Sequence, residues 1–321
     1  FRTSQVADAL GTVSNPSAFA EDAGGELYLL SYGGSIFALA PATGGTDTVP
    51  NLLSQTGCVD AANAQRPAAG LIPYQPNAPF WSDGTLKERW LALPNGTRIG
   101  VQANGDWSFP NGTVLVKNFR LPGDQRLIET RLFLRHPDGT WAGYTYEWND
   151  AQTDATRVGA AGRRRTFGTL EWIYPSAAEC LQCHTDVAGR SLGLETAQLN
   201  GDLRYPATGR TANQLATLNA IGVLDPALAN PPAGQPAYPD PFGTAPLAQR
   251  ARAYLHTNCA QCHQPGGPTP STLDLRFSTP LAQTNACRAP SGTTLGIANA
   301  QIVVPGEPAR SVLPGRMNRR D

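Results

Sequence analysis

The sequence predicts an α+β protein, in which a β-rich N-terminal region precedes a mainly α-helical C-terminal region. Two patterns predict this order. Short runs that alternate apolar and polar residues, separated by Asn-Gly and Asp-Gly turns, fill residues 49–175. From residue 176 onward, segments of helical periodicity alternate with loops rich in Pro and Gly. The 33 Gly and 28 Pro residues agree with a chain that turns often.

Three domains are expected along the chain. Residues 1–48 contain a β-hairpin, with strands at 26–32 and 35–39 joined by a Gly-Gly turn. Residues 49–175 form a sandwich-like or barrel-like β-domain, with strands at 113–119 and 129–134. Residues 176–321 hold helices at 211–221, with Thr211 as the N-cap and Gly222 as the stop, and at 245–255. All six tryptophans lie in the middle domain, where core packing is favoured over a sugar-binding platform.

Charge and hydropathy exclude some classes of partner. The formal net charge is zero, which argues against nucleic acid or an anionic membrane surface. No stretch is long and apolar enough for a membrane span. Lysine occurs only at Lys87 and Lys117, which we attribute to codon bias. The start at Phe1 does not resemble a signal peptide and lacks a Met, so we expect a processed product or part of a longer polypeptide.

Two short motifs carry the chemistry: CLQCH at 180–184 and CAQCH at 259–263. Two thiols separated by two residues on one turn can bond to the two vinyl groups of a haem, and the following His can coordinate the iron. A redox-active CxxC pair does not need that His, and a zinc site built from both motifs does not need a His after each second Cys. The motifs therefore predict a c-type cytochrome with two covalently bound haem c groups, attached at Cys180, Cys183, Cys259 and Cys262.

Covalent haem attachment of this kind takes place outside the cytoplasm, so a periplasmic or extracellular location is expected. Two cysteines, Cys58 and Cys287, lie outside the motifs. They form a candidate disulfide, because disulfides persist in that oxidising compartment. The alternative is two separate buried thiols.

The iron ligands follow from the few His and Met residues. His184 and His263 are the predicted proximal ligands. On the other side of each iron, Met raises the reduction potential, a second His lowers it, and an open position allows chemistry on peroxide or another small molecule. Met317 is the predicted sixth ligand of the second haem, with plain packing as the alternative. His256 is the predicted sixth ligand of the first haem. It lies too close to the second motif to reach the far side of the second haem. His136 is interpreted as an exposed loop residue. If neither histidine binds, the first haem is five-coordinate or has a ligand that the sequence does not reveal.

Several segments carry a family resemblance. They lie at residues 74–84 (YQPNAPFWSDG), 129–131, 144–149, 254–263 and 311–317. Together they resemble a family of exported bacterial haem proteins in which a Trp-rich β region is fused to a C-terminal dihaem cytochrome c region. The resemblance implies an exported electron-transfer protein and supplies no substrate. Residues 21–28 are similar to the closing blade of the β-propeller in quinoprotein sugar dehydrogenases, which implies a propeller ahead of this chain; an isolated hairpin packed on the next domain is the alternative.

Three functions are compatible with these features. The leading hypothesis is a carrier of single electrons between a donor dehydrogenase and an external acceptor, with redox proteins as partners. The first alternative is an enzyme similar to the dihaem cytochrome c peroxidases, although both motifs lie in the C-terminal half, behind a large β region. The second alternative is a subunit of an extracellular haem-bearing conductive filament, formed by self-association. Haems near both ends of the subunit would favour the filament, and a single buried pair would not.

Overall fold

The structure is a computed structural model that describes residues 16–22, 27–38 and 48–319. The chain divides into two compact units between Val49 and Pro50. The first unit contains three antiparallel strands: Pro16–Glu21 (β1), Leu27–Ser31 (β2) and Ile36–Ala38 (β3). The predicted hairpin is therefore present, within the described residues, as β2 and β3. Strand β1 pairs with β2 and was not expected from the sequence.

The second unit is built on a six-stranded antiparallel sheet. Strands of this unit are, in chain order, Val59–Asp60 (β4), Asn63–Pro67 (β5), Ile72–Pro73 (β6), Leu86–Ala92 (β7), Ile99–Val101 (β8), Trp107–Ser108 (β9), Val114–Arg120 (β10), Leu127–Arg135 (β11), Trp141–Trp148 (β12), Ala155–Arg157 (β13), Arg163–Phe167 (β14), Leu170–Tyr174 (β15), Asp202–Arg204 (β16), Thr211–Asn213 (β17) and Leu224–Asp225 (β18). The large sheet has the order β13-β12-β11-β10-β7-β6. The remaining strands of this unit form three two-stranded sheets and one three-stranded sheet with the order β18-β8-β9. In the three-stranded sheet, β18 runs parallel to β8.

The long strands form where the sequence predicts them. The expected strands at 113–119 and 129–134 correspond to β10 and β11, which are rich in β-branched and aromatic residues. The turn from β11 to β12 contains Gly139, whose φ of +86° suits glycine, and its amide donates to the carbonyl of His136 at 2.9 Å. Asp-Gly at a tight turn between two alternating runs is a strong hairpin signal, and here it is correct.

The prediction of a mainly α-helical C-terminal region is wrong. The described residues contain five α-helices, helix makes up only 18% of the structure, and strands in several sheets predominate. The helices are Ala177–Cys183 (α1), Thr196–Leu199 (α2), Gln214–Ala220 (α3), Leu247–Cys259 (α4) and Val312–Met317 (α5). The prolines between residues 226 and 246 prevent longer helices, because proline has no amide hydrogen and clashes with the preceding turn.

The two helices that the sequence predicts in this region are both shifted. The helix expected at 211–221 begins at Gln214, since residues 211–213 pair with β16 as β17. Its N-cap is Asn213, whose side chain accepts a hydrogen bond from the amide of Ala216 at 3.1 Å. The expected stop at Gly222 follows the observed end closely. The helix expected at 245–255 is α4, which begins after Pro246 and continues to Cys259.

One hydrophobic core joins the sheet to chain that lies beyond residue 190. Its buried members are Tyr74, Leu91, Ile99, Trp107, Phe109, Leu115, Phe133, Leu194, Leu199, Leu215, Leu218 and Leu224. Residues on both sides of the expected boundary at 175/176 therefore bury one another, and they belong to one compact unit. Among the tryptophans, Trp107, Trp148 and Trp172 are buried, as the core interpretation expects, whereas Trp81 is 50% exposed.

Candidate haem-binding cleft

The first motif lies at the end of α1, directly after strand β15. Helix α1 begins with a capping box, in which the Ser176 hydroxyl accepts from the Glu179 amide and the Glu179 carboxylate accepts from the Ser176 amide at 2.8 Å. Cys180 and Cys183 occupy its last two turns, and His184 is the C-cap. The helix packs against β12 at Gly143, where an added Cβ would lie 2.5 Å from the Cys180 Sγ. The absence of a side chain at Gly143 therefore allows this close approach.

His184 is oriented by contacts on both the ring face and one nitrogen. Its ring packs on Phe133, with a centroid separation of 4.1 Å. Its Nδ1 lies 2.5 Å from the carbonyl oxygen of Arg190. A carbonyl only accepts, so Nδ1 carries the hydrogen and Nε2 keeps a lone pair. Burial, the largest cause, lowers the pKa of His184 to about 4, so the ring is neutral at physiological pH. Metal-binding histidines commonly have this arrangement, with one nitrogen held by a carbonyl and the other available.

A cleft of about 690 Å³ opens beside the first motif and is lined by Cys180, Cys183 and His184. This volume lies within the range of cofactor pockets. Large apolar side chains from the sheet and from the segment after α1 form much of its wall, including Trp107, Leu115, Phe133, Leu132 and Leu194. The cleft is therefore large enough for a flat aromatic group held at the motif, and it offers apolar side chains for that group to contact.

The second motif begins at the last residue of α4. Cys259 ends the helix, and Ala260 is buried in a small cluster with Leu273, Leu275 and Ile302. The Nδ1 atom of His263 is buried and has no hydrogen-bond partner among the described residues. Burial lowers the pKa of His263, and the Arg316 guanidinium adds to this effect. A buried ring nitrogen without a hydrogen-bond partner costs stability.

The two motifs contact each other, although they are far apart in sequence. The Thr185 hydroxyl donates to the carbonyl of Gln261 at 2.7 Å in a buried hydrogen bond that spans 76 residues. The Cys262 thiol donates to the carbonyl of Gln182 at 3.6 Å. Cys183 is also close enough to contribute to the raised pKa of Cys262, after the larger effect of burial. Both predicted attachment sites therefore lie at one place in the second unit.

The predicted sixth ligands have different surroundings. His256 lines the same cleft as His184. Its Nε2 lies 2.9 Å from Glu195 Oε1, and its Nδ1 accepts from the Phe277 amide at 3.2 Å, so coordination of iron would require loss of one contact. Met317 ends α5 and is 51% exposed. Ligation by these two residues stays a prediction.

His136 lies in the β11–β12 turn, as predicted, but it is half-buried and not exposed, and it contacts the Tyr144 hydroxyl at 3.0 Å. Sequence reasoning missed three cations that line the cleft: Arg89, Lys117 and Arg131. The available signal was Lys117, one of two lysines in the chain, within an otherwise apolar strand segment.

The cysteines outside the motifs do not form the predicted disulfide. Cys58 and Cys287 are both free thiols, the first buried and the second exposed. The Cys58 thiol instead donates to the carbonyl of Thr56 at 3.9 Å, and burial raises its pKa. In the described part of the chain, no group of three or more His, Cys, Asp or Glu side chains is placed to hold a metal ion by itself, and no helix has the length and apolar character needed to cross a membrane.

Comparison of the chain with models of protein families, with curated proteins and with solved structures gives no match.

Proposed function

We propose that this chain is an exported dihaem c-type cytochrome that transfers single electrons between a donor dehydrogenase and an external acceptor. The observation that carries the proposal is the contact between the two CxxCH motifs, beside a large apolar cleft lined by the first of them. The residues fit covalent haem: each motif offers two free thiols and one imidazole with a nitrogen that lacks a protein partner in the described chain. When bound, each haem supplies a one-electron iron couple.

The protein's own groups have defined roles in this proposal. Four thiols provide the attachment points, and the Arg190 carbonyl fixes the tautomer of His184 so that Nε2 is available. The apolar side chains of the cleft wall would cover part of a bound haem and shield it from water, which strengthens electrostatic interactions beside them. The Thr185–Gln261 hydrogen bond holds the two attachment segments together, which suits exchange of electrons between two neighbouring centres. This proximity does not favour the filament hypothesis, for which haems near both ends of the subunit are needed.

A second candidate function is peroxide reduction, and one observation favours it. Glu195 and His256 form a hydrogen-bonded pair that lines the same cleft as His184. A carboxylate and an imidazole in contact can accept and return a proton, which cleavage of an O–O bond requires. The Tyr238 hydroxyl donates to the other oxygen of Glu195 at 3.0 Å, so the pair is fixed in place.

The number of covalent haems is the first test. The full chain, produced with the haem attachment machinery, should carry two haems by intact mass. Cys180→Ala with Cys183→Ala should lose one, and Cys259→Ala with Cys262→Ala should lose the other. Cys58→Ala is the matched control, since that thiol lies outside both motifs, and it should keep two haems. A wild-type chain without covalent haem would rule out the proposal.

Axial ligation then separates the two candidate functions. Near-infrared magnetic circular dichroism of the oxidised protein reports the ligand pair of each iron. Two six-coordinate, low-spin centres would support electron transfer and exclude the peroxidase alternative. A high-spin centre with an open position would favour the peroxidase, and turnover of peroxide by wild type but not by His256→Gln would then be expected.

A further inference from the structure

Three cations form a straight row across the six-stranded sheet. Lys117 of β10 lies directly opposite Arg89 of β7 on one side and directly opposite Arg131 of β11 on the other. All three line the cleft of the first motif. Like charges that are directly opposite in neighbouring strands repel each other and destabilise a sheet. Negative charge close to the three cations is therefore needed to offset their mutual repulsion.

Only one member of the row is compensated by a carboxylate in the described chain. Arg131 is held by Glu129 through hydrogen bonds of 2.6 and 2.9 Å. Glu129 is fully buried and accepts a further bond from the indole of Trp172, so its carboxylate already has three donors. Within the described residues, Arg89 and Lys117 have no carboxylate in hydrogen-bond contact, and Arg89 is only 8% exposed.

Aromatic contacts stabilise Lys117 only in part. Its ammonium lies 4.9 Å from the ring centroid of Phe119 and 5.4 Å from that of Phe80. Burial, the largest cause, and the neighbouring cations hold the pKa of Lys117 well below its ordinary value. Arg89 and Lys117 thus lie desolvated at the cleft with no carboxylate of the described chain in hydrogen-bond contact, and a charge in such a position is costly unless it is paired.

We propose that Arg89 and Lys117 bind the two propionate carboxylates of the haem attached at Cys180 and Cys183. This inference rests on the proposed function. The charges match, two carboxylates against two unpaired cations, and Arg presents a fork that suits a carboxylate. The row also lies at the right motif, because all three of its cations line the cleft that Cys180, Cys183 and His184 line. Arg89 lies one strand farther along the row.

The pairing has a consequence for the first haem alone. Positive charge near the iron favours the reduced form, which carries one positive charge fewer. The second motif has a different surrounding cluster, formed by Leu273, Leu275 and Ile302. Loss of Arg89 or Lys117 should therefore lower the midpoint potential of one haem and leave the other unchanged.

The experiment compares Lys117→Met and Arg89→Met with wild type, all as the full chain carrying haem. Arg120→Met is the matched control, since Arg120 lies on the same strand as Lys117, carries the same charge and pairs with Glu88 outside the cleft. Intact mass should show two haems in every protein. The propionate bending band in resonance Raman spectra should shift in both cleft variants and not in the control. The midpoint potential of one haem should fall in the cleft variants, and Lys117→Arg should restore it.

A measurement on the wild-type protein keeps the proposal testable if a variant does not fold. Carbodiimide with an excess of amine converts accessible carboxylates to amides, and mass spectrometry of the haem peptides counts them. Propionates of the first haem should be protected in the native protein and should react after unfolding. Ready amide formation in the native protein, or an unchanged Raman band in variants that carry two haems, would overturn the proposal. Absence of covalent haem from wild type would instead remove the proposed function itself.

Discussion

Gly143→Ala tests how closely the first motif packs on the sheet. Gly143 lies in β12, opposite Phe133 of β11. An added Cβ would lie 2.5 Å from the Sγ of Cys180 and 2.8 Å from its Cβ, distances that atoms in a relaxed protein avoid. Inserting a methyl group into a packed region costs about 1–3 kcal/mol. The same substitution recovers about 0.5–1 kcal/mol of backbone entropy, because Gly in a strand is destabilising relative to Ala.

Gly123→Ala is the control that separates these two effects. An added Cβ at Gly123 meets nothing within 4 Å, and the backbone there does not need a left-handed conformation, so only the entropic gain is expected. Gly143→Ala should then be less stable than Gly123→Ala by the packing cost, about 1–3 kcal/mol. Urea unfolding followed by circular dichroism measures the difference, and under the proposed function the yield of covalent haem at Cys180 should also decrease. Equal stability of the two variants would refute the close packing of α1 on β12.

Three further predictions concern buried charge and the contact between motifs. Burial, the largest cause, lowers the pKa of Lys87 to about 8 from 10.5, so the folded chain favours the neutral amine. The free energy of unfolding of the wild-type chain should therefore gain from Lys87 as the pH rises from about 8 toward 10.5. In urea unfolding, Lys87→Met should not show this gain. Glu129→Gln leaves Arg131 without its anion and should cost about 3–5 kcal/mol of unfolding free energy. Thr185→Val leaves the Gln261 carbonyl without its donor and should cost about 1–3 kcal/mol in the same assay.

Each of these predictions has a control in the same unit. For the pH effect, wild type and Lys87→Met are compared at each pH, and parallel curves would contradict the assignment. Glu88→Gln removes a carboxylate whose side chain is 43% exposed in its pair with Arg120, and about 1 kcal/mol or less is expected. A loss for Glu129→Gln no larger than this would refute the role of its burial. Thr185→Ser keeps the hydroxyl, so a loss equal to that of Thr185→Val would exclude the hydrogen bond as the cause.

The sequence predicted local features of this fold better than distant ones. The strands β10 and β11 and the turn at Gly139 follow from alternation and turn chemistry, which act over a few residues. The helical content of the C-terminal region was overestimated, since residues 211–213 pair with β16 and that pairing is a tertiary effect. Helical periodicity at 211–221 could not show that the first three residues would be taken by a strand.

The spacing of the two CxxCH motifs predicts covalent haem, which stays a prediction, whereas the arrangement of the two motifs in the fold could not be predicted from the sequence. Nothing local indicates that Thr185 would reach the Gln261 carbonyl, since that contact depends on how the intervening chain folds. The row of cations could not be predicted either. The sequence shows Lys117 within a strand, but which residues lie opposite it depends on the strand register, which places Arg89 and Arg131 there. The absent Cys58–Cys287 bond is a third case, because the number of cysteines does not fix their distance.

The surface on which helix α1 packs is formed by chain that comes before it. Strands β11 and β12, with Phe133 and Gly143, precede α1, so a chain that emerges N-terminus first can pack Cys180 on the sheet as soon as α1 appears. The hydrogen bond between Thr185 and the Gln261 carbonyl instead needs the proline-interrupted stretch that lies between them. The order of the two motifs along the chain therefore allows the first to be seated on the sheet before the second is made, whereas the cleft beside it, which Leu194 and His256 also line, is completed only later.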